Sequence, residues 1–416
     1  MKKKLLVIAG LSLVCFSAVA ASASLGLGNE RLFAEVTPVN AVWVHYPKRE
    51  ATKDKKGIRE YWVNCSTHEH VFSKPESGSI SEYTSYDETG FAEDDDRWIY
   101  TETLSDQTVL MTDETKSFDL GTDYSGATIT SMKAGTIDLG TDASNLNVNS
   151  FASNHSDDGI KSVQIDLTKD SKLYSLFFDA TFVTANIASV DDFIKYVSPY
   201  TESNGSYTDA NKTGYYILTA DIDVSEKIKH SSGNAATGYF SGTFDGGDHT
   251  ITVKGQDNHG VFSNLRNATV KDLTVKETRH SDGECYCTFA RHVYQTTLDH
   301  VTVVMTGAGT DVSADNYDPT VSVSRGWLSW ATFQGNVLKD CVFDASNYKL
   351  GSLFGWNTSM TMPTCTNCVV KAKVLKQAMY SAYLASKNES ATFQPSNVEL
   401  KDGEVAIPGL TLTLTA

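Results

Sequence analysis

Apolar and polar residues alternate with a period of two in short bursts across the middle of the chain. Between residues 119 and 187 these bursts include 163–167 and 173–183, and turn-forming clusters such as 156–159 (SDDG) and 169–171 (KDS) separate them. Short alternating strands at this spacing are typical of a small antiparallel β-sandwich. The alternation gives way at residues 190–197 to a pattern that predicts a short helix.

An internal repeat runs from about residue 200 to residue 380. Each copy has an apolar residue, a short gap, a polar Asp, His or Asn, and then alternating apolar residues. The first apolar residue after the polar one is Leu273, Val301, Cys341 and Cys368 in successive copies. One copy cannot bury its apolar face alone, so the repeat predicts a solenoid in which stacked coils share one core.

The same repeat assigns roles to individual side chains. Cys341 and Cys368 fall where other copies have Leu or Val, so they are expected to pack as small buried hydrophobes rather than to bind metal or act in redox chemistry. A polar residue recurs at the turn before each strand, where it is expected to cap the turn; these residues are Asp272, Asp299, Asp340 and Asn367. Extra residues between copies, at 277–287 and 306–325, are expected to leave as loops, where function concentrates.

Two segments carry a family resemblance. Residues 214–223 read GYYILTADID and residues 240–251 read FSGTFDGGDHTI. They resemble the entry coils of right-handed parallel β-helix proteins of the pectin-lyase-like class. The elements GVF at 260–262 and GSLFG at 351–355 resemble the GLUG-type repeats of bacterial surface proteins. The likeness covers about 188–375 and implies a β-helix there, but a fold does not fix a function.

The likeness extends upstream. Residues 119–187 resemble the small bacterial Ig-like sandwich that precedes such helices in secreted proteins of gut bacteria. The chain is therefore expected to be all-β, with a C-terminal right-handed parallel β-helix, an upstream Ig-like β-sandwich and a small N-terminal Cys/His unit. The predicted segments are 1–23 (signal peptide), 24–85 (small degenerate zinc-type unit), 86–118 (acidic connector), 119–187 (sandwich), 188–375 (β-helix) and 376–416 (last coil and C-terminal cap).

The first 23 residues have the pattern of a secretory signal. Three lysines at 2–4 precede an apolar run at 5–19 and the small residues at 18–23 that signal peptidase requires. The run is shorter than the roughly 20 residues of a membrane span. Cleavage would leave a secreted or cell-surface protein with no transmembrane segment in the mature chain.

The N-terminal unit contains a candidate metal site. Its residues 45–73 resemble a short cysteine-rich repeat of Firmicutes surface proteins, although His68 stands where the second cysteine of a pair is expected and an upstream cysteine is missing near 51–52. The spacing Cys65-x-x-His68, with His45 and His70, suits zinc. Zinc would stabilise so small a unit. The alternative is a decayed site whose histidines lie on the surface.

Exposed aromatic side chains stack on sugar rings, and three tryptophans fall close together in the repeat region. Trp327, Trp330 and Trp356 are therefore predicted to bind a ligand, the alternative being that they pack in the core or in loops. A polar loop at 279–292 (RHSDGECYCTFARH) is the densest candidate for catalysis. A β-helix hydrolase needs two or three carboxylates on one face. Asp282 and Glu284 come from one loop, and no matching carboxylate pair recurs one coil later. No catalytic residue is assigned.

Charge excludes one class of function. The chain has 416 residues, with 51 acidic and 35 basic side chains and a net charge of −16, which argues against nucleic-acid binding. The favoured function is that of a non-catalytic, secreted or cell-surface binding or adhesion protein that recognises glycans or host surface molecules. A β-helix polysaccharide lyase or glycoside hydrolase is the alternative, and a structural spacer is the third option.

Overall fold

The computed structural model describes residues 41–83, 91–198, 212–225, 238–254, 260–278, 288–306, 327–332, 335–356, 363–379 and 407–415. The chain is mostly β-strand. The described residues divide into two compact units, one drawn from 41–107, 117–148 and 161–180, the other from 108–116, 149–160 and 181–415. The predicted signal peptide lies outside the described residues. Within them, no helix is long and apolar enough to cross a membrane.

The N-terminal segment forms a small sheet. The first five strands are β1 (Val42–Tyr46), β2 (Gly57–Ile58), β3 (Tyr61–Asn64), β4 (His70–Val71) and β5 (Ser79–Glu82). Four of them pair in the order β4-β3-β1-β5, with β1 antiparallel to β3 and parallel to β5. Alternate residues of β1, Val44 and Tyr46, are buried with Ile58 and Tyr61 in one apolar cluster, as expected for a strand with one covered face.

A second, mixed sheet contains the segments predicted as connector and sandwich. Its further strands are β6 (Trp98–Thr103), β7 (Gln107–Leu110), β8 (Thr128–Ala134), β9 (Ile137–Gly140), β10 (Gly159–Lys169) and β11 (Lys172–Val183). The order is β2-β6-β11-β10-β8-β9, and β7 also pairs with β11. The turn between β10 and β11 has Asp170 and Ser171 at positive φ, as a tight hairpin requires, which confirms the turn predicted there.

The segment 86–118, which was expected to be an irregular acidic connector, contributes strands to this sheet. That segment contains two strands, because the apolar residues Trp98 and Ile99 follow the acidic run and are buried. The acidic residues lie in the preceding turn, where Arg97 Nη2 lies 2.5 Å from Asp95 Oδ2. The Arg97 side chain donates to Asp95 and lowers the pKa of that carboxyl below its ordinary value. Strands β8 to β11 of the segment 119–187 pair in this sheet, whereas residues 185–187 pair in a different one, so the Ig-like sandwich stays a prediction.

A short helix follows. Between β12 (Ala185–Ile187) and the next strand lies α1 (Val190–Tyr196), which confirms the predicted helix. Ser189 caps its N-terminus, since the backbone N–H of Asp192 donates to Ser189 Oγ at 3.1 Å. Asp191 and Asp192 in the first turn suit the positive end of the helix dipole. Phe193 is fully buried and meets the ring of Phe244 edge-on at 5.8 Å.

The rest of the described chain builds a large parallel sheet of 15 strands. After β12 these strands are β13 (Tyr215–Leu218), β14 (Ile222–Asp223), β15 (Thr243–Asp245), β16 (Thr250–Lys254), β17 (Phe262–Arg266), β18 (Thr269–Thr278), β19 (Ala290–Tyr294), β20 (Thr297–Thr306), β21 (Ser329–Thr332), β22 (Val337–Lys339), β23 (Val342–Trp356), β24 (Thr364–Thr366), β25 (Cys368–Met379) and β26 (Leu410–Leu414).

Strands from successive repeats pair in register in this sheet. Leu273 pairs with Val301, and Val342 pairs with Val369, which places Cys341 beside Cys368. All four of the predicted repeat positions are buried. This confirms the repeat and its alignment, and also confirms that Cys341 and Cys368 pack in the core. Strand β26 pairs with β25 and extends the sheet by one further strand.

The two faces of this sheet differ as the alternation predicts. Inward positions in one column are Phe244, Val270, Leu298 and Leu338, and all are buried. The outward positions beside them alternate in charge from one repeat to the next, and read Asp245, Lys271, Asp299 and Lys339. Lys271 Nζ lies 2.5 Å from Asp245 Oδ2. Burial alone would lower the pKa of Lys271, but the hydrogen bond and charge of Asp245 outweigh it and raise that pKa.

The prediction that Asp272, Asp299, Asp340 and Asn367 occupy equivalent turns, here called the turn ladder, is wrong at one position. The equivalent turn position holds Asp272, His300, Asp340 and Asn367, whose φ values lie between 49° and 53°. Asp299 lies one residue earlier, in the strand, where it pairs with Lys271. This backbone conformation favours Asn, Asp and His over other residues with a side chain, which explains why the position is polar in every copy.

Candidate functional site

The four candidate zinc ligands do not meet. His45 stacks on Trp62, its cross-strand partner, with ring centroids 4.7 Å apart. Its Nδ1 lies 2.6 Å from Glu82 Oε2, and its Nε2 lies 2.7 Å from Glu60 Oε1. Cys65 is buried with Val44 in the apolar cluster on the opposite face of the sheet. The sheet therefore separates two of the four predicted ligands.

The other two histidines are also placed apart from His45. His70 Nε2 lies 2.8 Å from Asp96 Oδ1, and its ring meets Tyr61 edge-on. His68 is exposed in the turn after β3, at φ 61°. His45 and His70 pair with Trp62 and Val63, which are adjacent in β3 and therefore face opposite sides of the sheet.

Trp327 is a core residue. It is 1% exposed, and its Nε1 donates to Oε2 of Glu277 at 2.7 Å. The hydroxyl of Thr288 donates to the same oxygen at 2.7 Å. The indole face of Trp327 is thus unavailable to a ligand from solvent. Trp356 has Ala331, not Trp330, as its register partner, and the side chains of Trp330 and Trp356 lie outside the described set.

Only part of the polar loop at 279–292 is described. Residues 279–287 lie outside the described residues, while Arg291 and His292 belong to β19. Burial, with a smaller effect of the Arg291 charge, lowers the pKa of His292 to about 4. His292 is therefore neutral at physiological pH in the folded protein.

One group of metal-ligating side chains has its donor atoms within 4.8 Å of one another among the described residues: Asp299, His300 and Asp340. His300 Nδ1 lies 2.8 Å from Asp299 Oδ1, and His300 Nε2 lies 3.9 Å from Asp340 Oδ2. The His300 side chain is 63% exposed. His300 and Asp340 are residues of the turns that recur before each strand, and Asp299 is one of the charged outward residues of the sheet. Ion pairs between exposed side chains such as these stabilise the protein little.

Three cysteines meet in the core. Cys341, Cys365 and Cys368 are buried free thiols. Hydrogen bonding among the three thiols lowers the pKa of Cys368 and raises the pKa of Cys341 and Cys365. The register of the strands places Cys341 beside Cys368, and the local spacing Cys365-x-x-Cys368 adds the third thiol.

A polar pocket among the described residues was not predicted from the sequence. It has a volume of about 170 Å³ and lies where residues 155–158 cross the first strands of the parallel sheet. We call it the Asp158 pocket, and its lining is dominated by hydroxyl, amide and backbone groups: His155, Ser156, Asp158, Thr213, Gly214, Ser241, Gly242, Thr243, Asn267 and Thr269. All of these residues belong to the second compact unit.

Asp158 is the central acidic group of this pocket. Its side chain is fully buried. Its Oδ2 accepts the Thr184 hydroxyl at 2.6 Å and lies 3.0 Å from His155 Nδ1. Its Oδ1 is buried and has no hydrogen-bond partner among the described residues. Burial raises the pKa of Asp158, against the smaller opposing effects of Thr184 and His155.

Two glycines shape the floor of the pocket. A Cβ on Gly242 would lie 2.2 Å from the carbonyl oxygen of Gly214, so the two repeats approach too closely for any side chain at this position. Register then places Thr243 beside Thr269 as half-buried outward residues. The floor is therefore a column of backbone and short hydroxyl side chains that offers both donors and acceptors.

The arrangement suits binding better than acyl transfer. A nucleophile must donate its proton to a base, but the Thr184 hydroxyl donates to the Asp158 carboxylate rather than to His155. The same hydroxyl accepts the backbone N–H of Tyr215 at 2.8 Å, so it is held in place by a strand. The Asp158 carboxylate is therefore a rigidly held hydrogen-bond acceptor beside a polar cavity.

No sequence signal identified this site. Asp158 lies in the turn-forming cluster 156–159, whose pattern predicts a turn and no buried carboxylate. Its partners come from segments near residues 184, 213, 241 and 267, which the parallel pairing brings together. Tertiary packing also decides that the Asp158 carboxylate is buried, and no local pattern shows this.

No protein-family model, curated protein or solved structure matches the chain.

Proposed function

We propose that the protein is a secreted or cell-surface, non-catalytic binding protein that recognises glycans on a right-handed parallel β-helix. The in-register parallel strands of successive repeats, with a buried apolar inner face and a polar outer face, are compatible with that fold. In such a fold the outer surface carries the ligand site, because the stacked coils fill the interior.

The Asp158 pocket carries this proposal. Sugars present hydroxyl groups that both donate and accept hydrogen bonds, and a site for them needs closely spaced polar groups of both kinds. Thr213, Ser241, Thr243, Asn267 and Thr269 supply such groups along the wall. The volume is smaller than the roughly 300–1,000 Å³ of sites for drug-sized ligands, which favours a single sugar residue.

The hydrolase alternative is less well supported. Glycoside hydrolysis uses two carboxyl groups, about 5–10 Å apart, on either side of the scissile bond. Among the described residues that line the pocket, Asp158 is the one carboxylate. The alternative predicts release of reducing ends from a bound polysaccharide, whereas the binding proposal predicts none.

A glycan array with the purified protein tests the proposal. We expect retention of a defined subset of glycans, and loss of that binding when Thr269→Phe fills the pocket. The matched control is Thr297→Phe, since Thr297 is the register partner of Thr269 one repeat later and does not line the pocket. Absence of any bound glycan, equal losses in the two variants, or release of reducing ends would each overturn the proposal.

A further inference from the structure

The Asp158 carboxylate lacks one of the partners that a buried carboxylate needs. Thr184 and His155 both form hydrogen bonds with Oδ2 of Asp158, whereas Oδ1 has no hydrogen-bond partner among the described residues. A buried acceptor without a donor destabilises the folded protein, and a buried charge without a counter-charge does so more strongly. Groups kept at such a cost are concentrated at functional sites.

A partner for Oδ1 of Asp158 must donate hydrogen bonds, and a positively charged donor suits the buried carboxylate best. No lysine or arginine lines the pocket among the described residues. The imidazole of His155 is 47% exposed and belongs to a turn rather than a strand, so it can rotate to admit a ligand group without disturbing the sheet. The remaining lining is uncharged and suits the hydroxyl groups of a sugar ring.

We infer that the pocket binds a sugar residue carrying a protonated amino group, with the ammonium placed against Asp158 and the ring hydroxyls against the Ser/Thr/Asn wall. This inference rests on the proposed glycan-binding function and names the class of glycan. An ammonium supplies several donors and a positive charge to Oδ1, which a sugar hydroxyl or an acetamido group cannot both do. The net charge of −16 favours the approach of a cationic ligand.

A bare divalent cation is a poorer occupant. Calcium takes six to eight oxygen ligands, usually with several carboxylates, whereas this pocket offers Asp158 alone among its described lining residues. The volume of about 170 Å³ also exceeds what one ion requires. A sugar residue with an amino group uses both the acid and the hydroxyl wall.

Three ligands that share one backbone test the inference. They are β-1,4-linked oligomers of glucosamine, of N-acetylglucosamine and of glucose, which differ at the C2 substituent alone. We expect the glucosamine oligomer to bind the intact protein roughly tenfold or more tightly than the other two in calorimetric titration. Asp158→Asn is expected to abolish this preference, so that the glucosamine oligomer binds no more tightly than the N-acetylglucosamine and glucose oligomers.

Asp248→Asn is the matched control. Asp248 is exposed, lies outside the pocket and has positive φ, a conformation that Asn accepts. The variant carries the same change in net charge, so it is expected to keep the preference. If Asp248→Asn lost the preference as fully as Asp158→Asn, the attraction would be a general effect of the acidic surface and the inference would be wrong.

The outcomes separate the inference from the proposed function. Equal affinity for the three oligomers, or a preference that survives Asp158→Asn, would overturn the amino-group inference and leave glycan binding standing. Absence of binding to these oligomers and to every glycan of the array would overturn both. Folding of each variant is checked by its circular-dichroism spectrum before titration.

Discussion

Trp327 donates its indole N–H to the carboxylate of Glu277 over 2.7 Å, and both side chains are buried in the parallel sheet. Glu277 lies in β18 between Val253 and Met305 of the neighbouring repeats. An acidic side chain thus occupies a position of the strand that points into the core. It is accommodated because Thr288 and Trp327 donate to it.

This pair predicts a measurable coupling. Trp327→Phe removes a hydrogen bond to a buried carboxylate and is expected to lower the free energy of unfolding by about 1.5–3 kcal/mol. In a Glu277→Gln background the same substitution should cost less, because the remaining acceptor is neutral. Urea denaturation of the two single variants and the double variant gives the coupling energy. Additive losses would show that the contact is energetically unimportant.

Because neighbouring repeats pack closely at Gly242, we expect this position not to tolerate any side chain. Gly242→Ala would place a methyl group 2.2 Å from the Gly214 carbonyl oxygen. Because the obstacle is backbone, the repeats must separate, and we expect a loss of about 3 kcal/mol or more in the free energy of unfolding. The neighbouring Ser241→Ala should cost less than about 1 kcal/mol, since its hydroxyl makes one long hydrogen bond of 3.4 Å. Thermal melting of both variants checks the difference, and equal melting temperatures would contradict it.

The buried carboxylate of Asp158 predicts a pH dependence of stability. Its pKa is raised above the ordinary 3.8 in the folded protein, chiefly by burial. The folded state therefore holds this proton more tightly than the unfolded state. The associated stability is present below about pH 4 and is lost as pH rises through the raised pKa.

Asp158→Asn removes this titration. The variant is expected to melt at a higher temperature than the wild type at pH 7, and the difference should shrink to zero below the ordinary pKa of an aspartate. Differential scanning calorimetry from pH 3 to pH 7 measures it. A variant that is less stable than the wild type at pH 7 would show that the carboxylate charge is favourable in the unliganded protein.

The positive φ at His300, in the turn ladder, predicts which residue types this position tolerates. Its φ of 53° suits Asn and excludes a β-branched residue. His300→Asn should leave the free energy of unfolding unchanged or slightly higher, while His300→Val should lower it by about 1–2 kcal/mol. Thr302→Val, in an ordinary strand position of the same repeat, is the control and should be nearly neutral. Similar losses in all three variants would argue against backbone strain.

Much of the architecture is predictable because it depends on local chemistry. Alternation located β10 and β11. The end of that alternation at 190–197 marked α1, and the repeat set the register in which Leu273 meets Val301. The turn ladder was aligned one residue off at Asp299, because Asp and His both tolerate the turn conformation and local sequence cannot choose between adjacent candidates.

The candidate sites were less predictable. Spacing suggested that His45 and Cys65 share a metal, but spacing does not say on which face of a sheet each side chain lies. Trp327 was predicted to bind a ligand, with core packing as the alternative. It is buried, and Glu277 accepts its indole N–H in the core. Asp158 gave no signal, since its burial depends on residues far away in the chain.

The amino-acid sequence by itself determined the repeat, the polar turn positions and the excess of acid, since each follows from the identity of residues close together in the chain. Tertiary structure alone decided which polar groups became buried, that Gly214 and Gly242 touch, and that Asp158 lacks a donor for one oxygen. Burial and hydrogen-bond pairing are sums over distant segments, and parallel pairing brings those segments together only after the repeats have stacked.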